Sequence, residues 1–194
     1  MVRGERLAAF SRERLDGAAV PEDLRILATA QWEGTGHPFQ RFGITVLEPG
    51  ERYLLTDHGY LTEQDRQDPD IMATCAAFER MTEYLKVVAV HEDGLCFGYW
   101  THPRQRQDVP PPVVMVDTEG SFLVQAGRTL SEACLGEIAY EDDGLFTEVA
   151  EELARLGIPV AARFWADLAE VVADPAPEDV VEELYRAELE RRTA

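Results

Sequence analysis

The chain has 194 residues, of which 37 are acidic and 18 basic, for a formal net charge of -19; 45% are hydrophobic and 28% charged. A chain of this length reads as one domain that buries its own core without a disulfide or metal staple, and its composition argues against disorder as the main state. The charge argues against nucleic-acid backbones and anionic membranes as partners, since both repel such a surface, and favours a basic protein partner.

No apolar run approaches the roughly 18–20 residues a membrane helix needs. The opening Met1-Val2-Arg3-Gly4-Glu5-Arg6-Leu7 has neither the apolar stretch nor the small-residue cleavage site of a signal peptide, so the reading is cytoplasmic. Cys75, Cys96 and Cys134 are odd in number, form no C-x-x-C pair and sit in apolar patterns. They read as buried free thiols of a reducing compartment.

In chain order, residues 4–15 pattern as a short helix carrying Leu7, Phe10 and Leu15, stopped by Asp16-Gly17. A second helix begins at Pro21, with Glu22 and Asp23 in its first turn and Leu24, Leu27 and Ala28 on one stripe. The period then changes. Phe42–Leu47 and Arg52–Thr56 flank Glu48-Pro49-Gly50-Glu51, a type II turn sequence that predicts a hairpin. A polar loop is expected from Asp57 to Asp68, then a helix from Pro69 to Leu85 capped by Asp68.

The middle of the chain is the clearest β region. Lys86–His91 and Leu95–Trp100 flank Glu92-Asp93-Gly94; Val113–Asp117 and Ser121–Gln125 flank Thr118-Glu119-Gly120. The runs Val87–Val90 and Val113–Val116 are apolar throughout, which predicts strands covered on both faces. Between the hairpins, His102–Pro112 is an exposed, proline-rich loop. Thr129-Leu130-Ser131-Glu132 is a capping box that opens a helix. Leu145, Val149, Leu153 and Leu156 mark the next helix. Pro159 starts another, with Phe164, Trp165, Leu168, Val171 and Val172. After the break Asp174-Pro175-Ala176-Pro177, Val181, Leu184, Tyr185 and Leu189 mark the last.

Hairpins with segregated helices define an α+β fold. The expectation is a mostly antiparallel, twisted sheet of about six strands flanked by helices. Residues 1–140 would form its body and 141–194 an acidic helical extension packed on it. That extension holds 15 acidic and 5 basic residues, a net of -10 in 54 positions. Most of this charge reads as a solvated helix face, with Glu141-Asp142-Asp143 placed at a helix start.

No catalytic signature stands out. Gly34-Thr35-Gly36-His37 begins like a dinucleotide loop but lacks the third glycine and follows a helix rather than a strand. Asp57-His58 and His91-Glu92-Asp93 carry metal-ligand residue types without a metal-site spacing, so no metal or cofactor is expected. Tyr99-Trp100-Thr101-His102 ends a strand at the mouth of the proline-rich loop. Such aromatics read first as core and second as interface anchors.

Several segments resemble the SUKH superfamily. Val20-Pro21-Glu22-Asp23-Leu24 is similar to its opening helix, and Val87–Gly94 to its first central hairpin. Phe97-Gly98-Tyr99-Trp100 resembles a strand of one bacterial branch. Val113–Phe122 and Thr129–Leu135 follow in the same order, so the likeness covers roughly residues 19–139. The resemblance implies an α+β domain without catalytic residues. Bacterial members are mostly immunity proteins that bind and block a cognate toxin, often a nuclease or deaminase, and eukaryotic relatives are regulators that act by binding proteins.

These readings converge on a non-enzymatic protein-binding domain of immunity type that occludes a basic toxin. Tyr99, Trp100 and His102 would be anchors, and Glu141, Asp142 and Asp143 the complementary charge. A regulatory scaffold for endogenous proteins and an enzyme using carboxylates in a cleft stand as alternatives. The helical extension is open to covering the sheet, forming a homodimer or binding the partner.

Overall fold

Val87–Val90 and Val113–Val116 cannot leave either face in water, and the architecture follows from that. The structure, a computed structural model, describes residues 3–51, 59–106 and 108–194. Its centre is an antiparallel sheet in simple sequence order, β1-β2-β3-β4-β5. The strands are β1 (Ile44–Val46), β2 (Leu85–His91), β3 (Cys96–Trp100), β4 (Val113–Val116) and β5 (Phe122–Val124). Both hairpins expected in the middle of the chain form. All residues of β3 and β4 are buried, as strands covered on two sides must be.

Helices α1 (Arg3–Arg14), α2 (Glu22–Trp32), α5 (Leu130–Ile138) and α6 (Asp143–Arg155) cover one face. There Phe10, Leu24 and Leu27 meet Phe97 and Met115 of the sheet and Leu135, Phe146 and Leu153 of the later helices. Helices α4 (Pro69–Glu83) and α7 (Pro177–Thr193) cover the other. Met81 and Val180 pack there with Trp100, Val114, Val116 and Phe122. The acidic extension is therefore divided, with α6 on one face and α7 on the opposite one.

A bulge sets which side chains of β2 reach which face. Val87 lies opposite Gly98 and Ala89 opposite Phe97, so Val88 is an extra residue. Val88 and Ala89 both enter the first core, while Val87 packs in the second. The β2 backbone comes so close to β3 that a Cβ on Gly98 would stand 2.7 Å from the Lys86 carbonyl oxygen. Replacing Gly98 by alanine should cost about 1–3 kcal/mol through overpacking against backbone, read as a lower urea midpoint with an unchanged slope.

Local signals explain the helix starts. Asp68 Oδ1 accepts from the Asp70 N–H at 2.9 Å, and Pro69 occupies the first turn of α4. Asp16 and Gly17 both take positive φ (52° and 83°) and end α1. The Pro49-Gly50 turn closes with the Glu51 N–H donating to the Glu48 carbonyl at 3.1 Å, Gly50 having φ 78°. Thr129 accepts from the Glu132 N–H at 3.1 Å, as expected. Glu132, however, reaches back to the Arg128 N–H (2.7 Å) rather than to Thr129. Gly127 permits this, because a Cβ there would lie 2.4 Å from Glu132 Cβ. Asp23, expected to serve its own helix dipole, is buried and accepts from the Ser131 N–H of α5 at 2.9 Å. One carboxylate thus ties α2 to the start of α5.

Two expectations change, while the strand expected at Arg52–Thr56 lies outside the described residues, which hold five strands. Within the expected polar loop, Glu63–Gln67 form a short helix, α3, started by a Thr62–Asp65 capping box. The helix expected from Pro159 is absent. Residues 159–176 run without regular structure apart from a 3-10 turn at Trp165–Asp167. The segment must carry the chain from α6 on one face to α7 on the other. An extended backbone advances about 3.3 Å per residue against about 1.5 Å in a helix. Its path is fixed where the Gly127 N–H donates to the Ala169 carbonyl at 2.8 Å.

The β1 edge is held by side chains. Gln31 of α2 donates to the Val46 carbonyl (2.7 Å) and accepts from the Val46 N–H (2.8 Å). Its Oε1 is thereby fixed as an acceptor, so the His37 Nε2 3.1 Å away carries the proton. His37 Nδ1 is buried without a partner, and burial pushes the imidazole pKa down to about 4. Below the ordinary histidine value the unfolded chain takes up a proton that the folded one refuses. Stability should therefore fall by about 3 kcal/mol as pH drops from about 6.5 to about 4. Urea midpoints across that window should fall less steeply in His37→Phe than in the native chain.

Candidate binding surfaces

Tyr99, Trp100 and His102 sit where β3 leaves the sheet, and all three are turned inward. Trp100 has no exposed surface, and Tyr99 and His102 are 6% and 7% exposed. The Trp100 indole N–H donates to the Pro175 carbonyl at 3.1 Å, and its ring stacks on His102 and meets the edge of Tyr84. Close by, Gln105 Oε1 accepts from the Asp174 N–H at 3.1 Å, and Arg104 pairs with Glu183 of α7 at 2.7 Å. Trp100 and His102 do form an interface, but one inside the chain, where the crossing segment meets the sheet, while Tyr99 packs in the first core on the opposite face. The expectation that they anchor an outside protein is corrected accordingly: Trp100 has no accessible surface, and Tyr99 and His102 have too little to anchor one. Burial, with Arg104 adjacent, also lowers the His102 pKa.

The acidic triplet is placed differently. Glu141, Asp142 and Asp143 are all exposed. Asp142 caps α6, accepting from the Leu145 N–H at 2.9 Å, and Glu141 holds a positive φ of 56°. Glu141 and Asp143 have no ion-pair partner among the described residues.

Beside the triplet lies an aromatic patch that sequence reasoning missed. Tyr140 is 64% exposed and packs edge-on against Trp165, with ring centroids 4.7 Å apart. Phe164 next to it is 49% exposed. The Trp165 indole donates to the Gly136 carbonyl of α5 at 3.1 Å, which pins the patch to the α5–α6 corner. Phe164 and Trp165 fitted the apolar stripe of a helix that does not form, so they read as core. Tyr140 carried no signal beyond its place before three carboxylates.

A second concavity, of about 490 Å³, lies between the α1–α2 connection and the ends of β2 and β3. Lys86 and Asp16 form an ion pair there at 2.7 Å. Lys86 is the only lysine among 18 basic residues, a signal that was available in the sequence. Of the residues considered as metal ligands, Asp57 and His58 lie outside the described residues. His91 and Asp93 are engaged in their own turn, where the Asp93 N–H donates to His91 Nδ1 at 3.0 Å. Among the described residues no group of three or more His, Cys, Asp or Glu is placed to hold a metal ion, and no helix is long and apolar enough to cross a membrane. The three cysteines are buried and form no disulfide with one another, and burial raises the thiol pKa of Cys75 and Cys134, so neither is a prepared nucleophile.

Comparison with protein-family models, curated proteins and solved structures gives no match to this chain.

The two aromatic groups should separate cleanly in stability. Trp100→Ala should destabilise the fold by about 3–5 kcal/mol, as a fully buried aromatic does, whereas Phe164→Ala should change the urea midpoint by no more than about 0.5 kcal/mol equivalent.

Proposed function

We propose that this chain is a non-enzymatic protein-binding domain of immunity type, which neutralises a basic toxin-class protein by covering its working surface. The observation that carries this reading is the α5–α6 corner, where exposed Tyr140, packed on Trp165, directly precedes the exposed carboxylates of Glu141, Asp142 and Asp143, and exposed Phe164 adjoins Trp165 in the chain. Aromatic side chains are the residue types that dominate binding energy in interfaces, and a surrounding acidic field steers basic partners and rejects acidic ones. A net charge of -19 extends that field well beyond the corner and speeds encounter.

The resemblance of residues 19–139 to the SUKH superfamily supports the same reading, as does the α+β sheet. A cytoplasmic setting goes with it, because three buried cysteines that form no disulfide with one another suit a reducing compartment. Mechanistically, the carboxylates would occupy the place of nucleic-acid phosphates on a basic active site, and the aromatics would hold the complex together once formed.

The test uses the tagged chain as bait in host lysate, followed by titration of the captured protein. The expected result is a basic protein whose hydrolytic or deaminating activity is lost at one equivalent of the chain. Its capture should weaken at high salt. The double variant Tyr140→Ser/Phe164→Ser, folded as judged by its urea midpoint, should bind at least about 30-fold more weakly. A captured protein that stays fully active, or that binds the double variant as well as the native chain, would overturn the reading.

A further inference from the structure

The cleft beside Lys86 is built from parts that the docking corner does not use. Its walls are apolar: Leu15 and Pro21 from the α1–α2 connection, Tyr84 and Tyr99 from the sheet side, and Pro103 and Pro111 from the proline-rich loop. Its volume of about 490 Å³ lies in the range of small-molecule sites. Lys86 and Tyr99 are directly opposed across β2 and β3, so their side chains leave the same face of the sheet side by side. Tyr99 is 6% exposed, and its hydroxyl has no hydrogen-bond partner. The hydroxyl itself is buried inward, toward Asp23 and Cys134, so Tyr99 offers the cleft its ring and not its O–H.

The charges in the cleft have both signs. The Lys86 ammonium is three-quarters buried, and its partner Asp16 projects into water with its side chain 72% exposed. Asp16 presents that carboxylate from a left-handed backbone conformation, which aspartate tolerates better than most residues. Glu83, also lining the cleft, is held by Arg80 at 2.9 Å. A simple anion would meet Lys86 but would enter against the field of a chain with charge -19. A simple cation would meet Asp16 but also the Lys86 ammonium beside it. A molecule carrying both charges avoids both penalties. Its carboxylate replaces Asp16 on Lys86, while its ammonium takes over Asp16. The ion pair that opens in this exchange is solvated on the Asp16 side, and the ligand's carboxylate restores a partner to the more buried Lys86.

We infer that this cleft binds a small zwitterion with an apolar body, of the size of an apolar α-amino acid, between Lys86 and Asp16, with its side chain against Leu15, Pro21 and the rings of Tyr84 and Tyr99. The inference does not depend on the identity of the docked protein.

Four probes separate the required groups: phenylalanine, 3-phenylpropionate without the ammonium, phenethylamine without the carboxylate, and glycine without the apolar body. Phenylalanine should bind the full chain with a dissociation constant below about 1 mM by calorimetry, and each of the others at least about tenfold more weakly. Lys86→Gln and Asp16→Asn remove one charge each, the latter keeping a residue at ease with positive φ. Each should weaken phenylalanine binding at least about tenfold without moving the melting temperature of the free chain by more than a few degrees. Because the chain has one lysine, reductive ¹³C-methylation of the native protein gives a single ε-amine resonance, which should shift on adding phenylalanine and not glycine. Absence of phenylalanine binding, equal binding of 3-phenylpropionate, or an unmoved lysine resonance would each overturn the assignment.

Discussion

Everything in this fold answers one constraint: a short antiparallel sheet whose central strands are apolar on both sides must be covered twice. Four helices cover one face and two the other, and no helix from the first 62 residues takes part in the second layer. The chain therefore has to change sides after α6. The crossing segment is held where it arrives by the Trp100 indole and the Gln105 amide, which bond to Pro175 and Asp174. Trp100 is the pin: it belongs to the sheet, fills the second core and fastens the strap that brings α7 over it. Burial of so large a side chain contributes on the order of 2–3 kcal/mol, and its hydrogen bond makes the position of the strap specific.

What was legible in the sequence was whatever rests on local physics. The two glycine-closed hairpins, the Asp68 and Thr129 caps, the Asp16-Gly17 stop and the double-sided strands all follow from chemistry within a few residues. Features set by distant partners were not legible. The bulge at Val88 exists because of the close approach of Gly98, and the stripe Phe164–Val172 has helical spacing but is stretched by the need to cross the sheet. The same limit governed the candidate site. Trp100 had the composition of an interface anchor and met an interface inside its own chain. Tyr140 and Trp165 are separated by 25 positions in sequence and become neighbours only through the α5–α6 corner. The exposure of the acidic triplet, by contrast, follows from its place at a helix start and was legible locally.

The charge has two uses in this molecule. Much of it is neutralised locally: Arg41 bridges Glu148 and Glu152 of α6, and Arg191 and Arg192 share Glu188 near the end of α7. Exposed pairs of this kind add little to stability and mainly keep helices from repelling one another. Glu141 and Asp143 have no ion-pair partner among the described residues, so their charge is not cancelled in this way. An acidic surface and a small mixed-charge cleft can coexist on such a chain because the cleft draws on its one lysine, paired and three-quarters buried, rather than on the outer field.

The division of labour between the two faces also orders the birth of the molecule. A nascent chain that has just completed β5 already owns α1, α2 and α4, yet the strap and α7 are still to be made. Until residues 173–193 emerge, Trp100, Val114, Val116 and Phe122 form an incompletely roofed apolar surface, of the kind that chaperones hold and that neighbouring chains adhere to. Synthesis that stalls in the crossing segment would leave a sheet with one finished side and one adhesive side. Closure of the second face, and with it the removal of that adhesive surface, thus waits on α7.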